Sequence, residues 1–218
     1  MSGSERIRNF YRDLFDRYGP QGWWPGESRI ECILGAILTQ NTSWQNVEKA
    51  IDNLKRDNLI SIESLNLITT DELARLIRSS GYYNQKAVKI KTFIRFVVQE
   101  YSGSLEKMFA EPSSELRKKL LGIKGIGPET ADSIMLYAGG IPVFVVDTYT
   151  YRILSRHGLV PENTSYHEIQ ELFMDSLEKD SETFNEYHAL LVKLGKEHCK
   201  KSSPVCEGCP LEYDPHFL

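Results

Sequence analysis

Ile141 to Val146 reads IPVFVV, so Asp147 emerges from a buried segment at the start of a helix, Thr148–Arg156. A carboxylate in that place caps the helix and sits in the positive field of its terminus, which keeps it ionised. It can then stabilise a nearby cation or take a proton from water; the bland alternative is an ordinary cap. The second chemical feature is Gly125-Ile126-Gly127, followed by Pro128 where a helix's first residue belongs. Two residues without a Cβ permit positive φ and let backbone amides converge on an anion. Opening onto a helix N-terminus, the hairpin is built as a phosphate site, or else is a turn between two core helices. The third is Cys199-x6-Cys206-x2-Cys209, three closely spaced thiols.

These groups need rigid elements behind them, and helical spacing supplies them along the whole chain. Glu5 to Tyr18 is amphipathic, with Ile7, Phe10, Tyr11, Leu14 and Phe15 on one side and Gly19-Pro20 as its stop. Arg29 to Thr39 is a compact apolar helix with Cys32 in its core, and Ser43 caps a helix running through Leu54. Ile60 to Ser80 holds two short helices, and Gly81-Tyr82-Tyr83-Asn84-Gln85-Lys86-Ala87 opens a long basic one to about Glu100. Ser104–Ala110 and Ser113–Leu121 lead to the glycine hairpin, after which Ala131, Ile134, Met135 and Ala138 recur at helical spacing. Further helices are expected around Ser165–Leu177 and Glu182–His198. No strand alternation is present, so the fold class is all-α.

A chain of 218 residues makes one large domain or two small ones, and 41% apolar residues support a real core. No apolar run approaches the length of a membrane span, and the first residues, MSGSERIRNF, lack the apolar stretch of a secretory signal. Four cysteines, three of them crowded together, do not resemble a secreted disulfide framework, so the expected compartment is the cytoplasm. A net charge of −4 argues mildly against a nucleic-acid partner. Local charge matters more, and basic residues cluster at Lys86-Lys89-Lys91-Arg95, Arg117-Lys118-Lys119-Lys124 and Lys193-Lys196-Lys200-Lys201. Each cluster reads equally as a solvated helix face.

Together, Gly125-Ile126-Gly127, Thr130-Ala131 and Val146-Asp147-Thr148 resemble the signature of the helix-hairpin-helix DNA glycosylases of the endonuclease III superfamily. The resemblance extends over most of the chain. It implies a two-lobed helical fold with the active site in the cleft between lobes. Residues 28–138 would form the helical-barrel lobe, with the motif at about 113–139. Residues 1–27 and 139–218 would form the second lobe, with the cysteine loop at 199–209. The implied partner is double-stranded damaged DNA, bound by a monomer that is nucleoid-associated when on DNA. Contacts to it would come from Tyr83, Asn84 and Lys86 of the G-x-Y-N-x-K-A stretch and from Lys124, Gly125, Gly127 and Thr130 at the hairpin. Gln40 or Asn41 would fill the space of the extruded base, and Trp24 and Trp44 would wall its pocket.

The resemblance also assigns chemistry. Cleavage of a glycosidic bond passes through an oxocarbenium-like sugar, which Asp147 would stabilise while activating water. Bifunctional relatives place a lysine 18 residues before that aspartate, and here the position holds Glu129. A carboxylate forms no Schiff base, so the enzyme should be monofunctional, closest to the bacterial 3-methyladenine branch. Two pocket tryptophans suit a cationic N-alkylated purine. The alternatives are a glycosylase for mismatched or oxidised pyrimidines, with or without lyase activity, and a noncatalytic DNA-binding module. The family's iron-sulfur loop carries a fourth cysteine where this chain has Pro215. Cys199, Cys206 and Cys209 would then need Asp214 or His216 to complete a cluster or a zinc site.

Overall fold

The computed structural model describes residues 2–23 and 26–217, and the fold among them is all-helical, without strands. The chain divides into two compact units, Met1–Trp24 with Pro142–Leu218, and Pro25–Ile141. No described helix is long and apolar enough to cross a membrane.

The Pro25–Ile141 unit is built on α2 (Arg29–Leu38), which is buried along its whole length after its first residue. Around it lie α3 (Trp44–Arg56), α4 (Ile62–Leu67), α5 (Thr70–Leu76), α6 (Tyr83–Tyr101), α7 (Leu105–Phe109), α8 (Ser113–Leu121) and α9 (Pro128–Ser133). α9 continues as a π-helical turn, Ile134–Ala138, where the sequence reads as plain α-helix. Ser43 precedes α3 in extended backbone but makes no capping hydrogen bond through its side chain, unlike the expectation from its position. Two lysines of the basic helix α6 are internal: Lys86 Nζ donates to Leu38 O at 2.9 Å and Ser80 O at 2.6 Å. Lys91 Nζ donates to Leu65 O, Asn66 O and Ile68 O at 2.6–2.8 Å. Carbonyls left open at helix ends and turns draw these cations inward.

The hairpin between α8 and α9 is stapled by Arg117, whose Nε and Nη2 donate to Asp132 Oδ1 and Oδ2 at 2.7 and 2.9 Å. The Asp132 side chain is wholly buried. Ile123 and Ile126 anchor the loop into the core, and Pro128 opens α9. Gly125 adopts φ +92°, and a Cβ there would lie 2.8 Å from Lys89 Cε, so the lysine stem occupies the space a side chain would need.

The other unit packs α1 (Gly3–Tyr18) with α10 (Thr148–Arg156), α11 (Tyr166–Ser176) and α12 (Ser181–Glu197). At its centre Phe144 stacks on Phe173 at 3.9 Å and meets Phe184 and Tyr187 edge-on. Asp214 accepts from Arg6 and lies 2.8 Å from His157 Nδ1, tying the last residues to α1 and the end of α10.

Arg117→Ala strips a buried carboxylate of its bidentate partner. Such losses cost about 3–5 kcal/mol, so the variant should melt well below the wild type in calorimetry. A surface-like loss below about 1 kcal/mol would show that the pair does not staple the hairpin.

Candidate active site

Asp147 is the N-cap of α10, with extended backbone at φ −119° and ψ −176°. Its two oxygens have different surroundings. Oδ1 accepts from the Thr150 amide at 2.8 Å and from the Thr150 hydroxyl at 3.0 Å. Oδ2 faces His188 Nε2 at 3.6 Å, an ion-pair distance longer than a direct hydrogen bond. The side chain keeps 12% of its surface exposed. Burial alone would push its carboxyl toward protonation, but the His188 imidazole and the Thr150 donors outweigh it and hold the pKa below the ordinary aspartate value.

The preceding run delivers Asp147 because its extended backbone finds partners within this unit. Gln170 Nε2 donates to Phe144 O at 2.7 Å, and the Val146 amide reaches the Tyr166 hydroxyl at 3.4 Å. His188 reaches the aspartate because α12 approaches α10 closely. Gly195, on the same face of α12 as His188, lies against Tyr149, where a Cβ would come within 2.3 Å of Tyr149 Cδ1.

At the hairpin of the other unit, Lys124, Gly125, Gly127 and Glu129 are exposed and Thr130 is buried. Gln40, just after α2, donates from Nε2 to Thr130 Oγ1 at 2.9 Å and to Gly125 O at 3.4 Å, and accepts from Lys89 Nζ. Asn41 beside it is exposed in left-handed backbone, φ 54°. A buried-rooted turn with a projecting amide thus stands against an exposed glycine hairpin.

The model of the HhH-GPD superfamily of base excision DNA repair proteins matches residues 34–179, a span that includes the hairpin and Asp147. The chain belongs to that superfamily. A Methanocaldococcus jannaschii protein, whose name provisionally describes a DNA repair glycosylase, is 47% identical over 210 residues, 95% of this chain and 94% of its own. The structure of the Helicobacter pylori 3-methyladenine DNA glycosylase bound to 1,N6-ethenoadenine is 30% identical with TM-score 0.78, covering 90% of this chain and 98% of that one. An endonuclease III–DNA complex superimposes with TM-score 0.83 at 24% identity, over 99% of this chain and 96% of the other, a likeness of fold.

Within this helix-hairpin-helix glycosylase framework, several expected contact residues lie elsewhere than the motif suggests. Lys86 is buried and bound to two carbonyls, and burial, then nearby Lys89, push its pKa down to about 8. It therefore presents no ammonium to a phosphate, which corrects the expectation drawn from the G-x-Y-N-x-K-A stretch. Tyr83 is half-buried beneath the Arg78 guanidinium, and Asn84 is exposed. Gln40 uses its amide on the hairpin, leaving Asn41 as the projecting side chain of that turn. Trp44 is half-buried in the first turn of α3, with Nε1 donating to Glu48 at 2.9 Å. Trp24 lies outside the described residues.

Cys199, Cys206 and Cys209 line one open pocket, together with His157, His198 and His216. Protein groups already hold this loop: Arg152 Nε donates to Cys199 O at 2.7 Å, and Arg156 Nη1 to Cys199 Sγ at 3.2 Å and Lys200 O at 2.7 Å. Asp214 is committed to Arg6 and His157, so it is no fourth ligand. Among the described residues no three His, Cys, Asp or Glu side chains converge as ligands of one ion. Burial pushes the Cys209 thiol up, with Cys206 and Cys199 adding to it. His216, the other expected fourth ligand, lines the same pocket as the three thiols.

Sequence reasoning passed over His188. The available signal is a lone imidazole inside the apolar stretch Tyr187–Val192, seven residues before a glycine.

Gly195→Ala drives a methyl into Tyr149. It should lower stability by about 1–3 kcal/mol in chemical denaturation and displace α12 from α10. Unchanged stability would mean that the helices separate freely.

Proposed function

We propose that this DNA repair glycosylase is monofunctional and releases N-alkylated purines such as 3-methyladenine. The observation that carries the reading is the Asp147 carboxylate, ionised, partly exposed, and held through one oxygen while the other stays clear of the cap. In the reaction the C1′–N bond breaks and its electron pair leaves with the base. The oxocarbenium sugar is stabilised by the Asp147 anion, water oxygen bonds to C1′, and one water proton passes to Oδ2. A cationic alkylated purine is neutralised by the departing electron pair, so it needs little help from a general acid.

Glu129 supports the monofunctional part of the reading. It stands exposed in the first turn of α9, at the position where bifunctional relatives carry lysine, and it has no amine for a Schiff base. Similarity to the H. pylori 3-methyladenine glycosylase supports the substrate class. Trp44 offers a half-buried indole to stack on an extruded base. We assign no step to the cysteine loop, whose shape rests on Arg152 and Arg156.

The deciding assay incubates the protein with methylated duplex DNA and with duplexes carrying mismatched or oxidised pyrimidines, with and without hot alkali. Free 3-methyladenine should appear, strands should break only after alkali, and borohydride should trap no covalent complex. Preferred release of a pyrimidine would overturn the substrate class; trapping would overturn the monofunctional mechanism.

DNA affinity should also separate surface from buried lysines. Lys124→Met should reduce the magnitude of the slope of log affinity against log salt by about 1, the share of one phosphate contact. Lys86→Met, measured where the protein is folded, should leave that slope unchanged. The reverse pattern would place Lys86 at the phosphate backbone.

A further inference from the structure

We infer that His188 is the positioning residue of the Asp147 carboxylate, presenting Nε2 to Oδ2 so that each carboxylate oxygen has its own partner. This rests on the catalytic reading of Asp147 given above. Thr150 fixes Oδ1 through two donors, a contact that sets where the carboxyl carbon lies but leaves the carboxylate free to tilt. His188 Nε2 faces Oδ2 from the other side at 3.6 Å. Its own orientation is constrained: the ring is buried, packs edge-on to Trp23 at 6.4 Å, and is carried on the face of α12 that Gly195 brings against α10. A distance of 3.6 Å is short enough to close to a hydrogen bond when substrate fills the site.

The charge on the pair decides how strongly it acts on the sugar. A neutral imidazole with its proton on Nε2 turns a dipole toward Oδ2 at 3.6 Å and leaves the full negative charge for the oxocarbenium sugar. A protonated imidazole makes the pair net neutral, and the sugar cation then meets a weaker field. α10 contributes Asp147 itself, and Lys196 of α12 lies over the Trp23 ring at 5.7 Å. α1 sets Tyr11 against Tyr187, and burial holds both hydroxyls protonated well past neutral pH.

The test uses His188→Gln, which keeps a donor without titrating, and His188→Leu, which keeps neither. Carbon-detected NMR of the Asp147 carboxyl in the free protein needs no substrate. Its titration midpoint should rise in His188→Leu, because the group that favours the anion has gone, and rise less in His188→Gln. Single-turnover release of base from methylated duplex DNA is then measured at neutral pH. His188→Leu should lose about tenfold to a hundredfold, the cost of one charge-assisted contact, and His188→Gln should recover most of it. A merely structural histidine gives another pattern: lower melting temperatures, an unshifted Asp147 midpoint and no rescue by His188→Gln. That pattern overturns the inference. If the wild type releases no base from any lesion duplex, the functional reading fails, while the carboxyl titration still decides the coupling of His188 to Asp147.

Discussion

Asp147 has to remain an anion while largely buried, and the Met1–Trp24 and Pro142–Leu218 unit is arranged around that requirement. Desolvation of a carboxylate favours protonation, and the opposing contributions are specific. The Thr150 amide and hydroxyl supply the cap at Oδ1, worth about 1 kcal/mol in a typical helix. The α10 terminus adds a favourable field, and His188 completes the set at Oδ2. Each depends on packing further away. The aspartate arrives on an extended apolar run whose backbone is served by Gln170 and Tyr166 and whose Phe144 is locked between aromatic rings. The far end of α10 meets the cysteine loop through Arg152 and Arg156, so loop and carboxylate share one helix.

The chain as a whole carries a net charge of −4, while the motif suited to a phosphate-rich partner lies in the hairpin unit. Many of its cations are consumed internally. Lys86 and Lys91 close open carbonyls, Arg117 neutralises Asp132, Lys119 pairs with Glu111, and Lys89 binds Gln40. The exposed glycine hairpin with Lys124 is left as the local feature suited to a phosphate, and backbone amides carry no formal charge. This accounts for how an acidic chain retains a DNA-binding motif: the interaction is local and geometric more than a broad electrostatic field.

Legibility in the sequence followed the range of the interaction. Gly125, Pro128 and Asp147 act through neighbours within a few residues, and their turn, helix start and cap are readable from residue types alone. The same locality misled at Ser43, where a good capping residue makes no cap, and at Ile134–Ala138, where helical spacing does not distinguish π from α. Lys86 and His188 were unreadable for another reason. Lys86 binds a carbonyl 48 residues earlier, and His188 meets an aspartate 41 residues away. Such partners exist only once helices have packed, and periodicity reports which face is buried without reporting what that face touches. The tail shows the converse: Asp214 looks like a spare ligand beside three cysteines, but its carboxylate is already occupied by Arg6 and His157.

The most direct measurement is single-turnover base release by Asp147→Asn on the lesion duplex the wild type processes fastest. Asparagine caps helices as well as aspartate does, so α10 and the fold should survive, as should binding to lesion DNA. Removing the charge alone should slow release by at least about a hundredfold, the scale of a lost general base or charge stabiliser. Retention of more than about a tenth of the wild-type rate would contradict the account and move the chemistry away from Asp147.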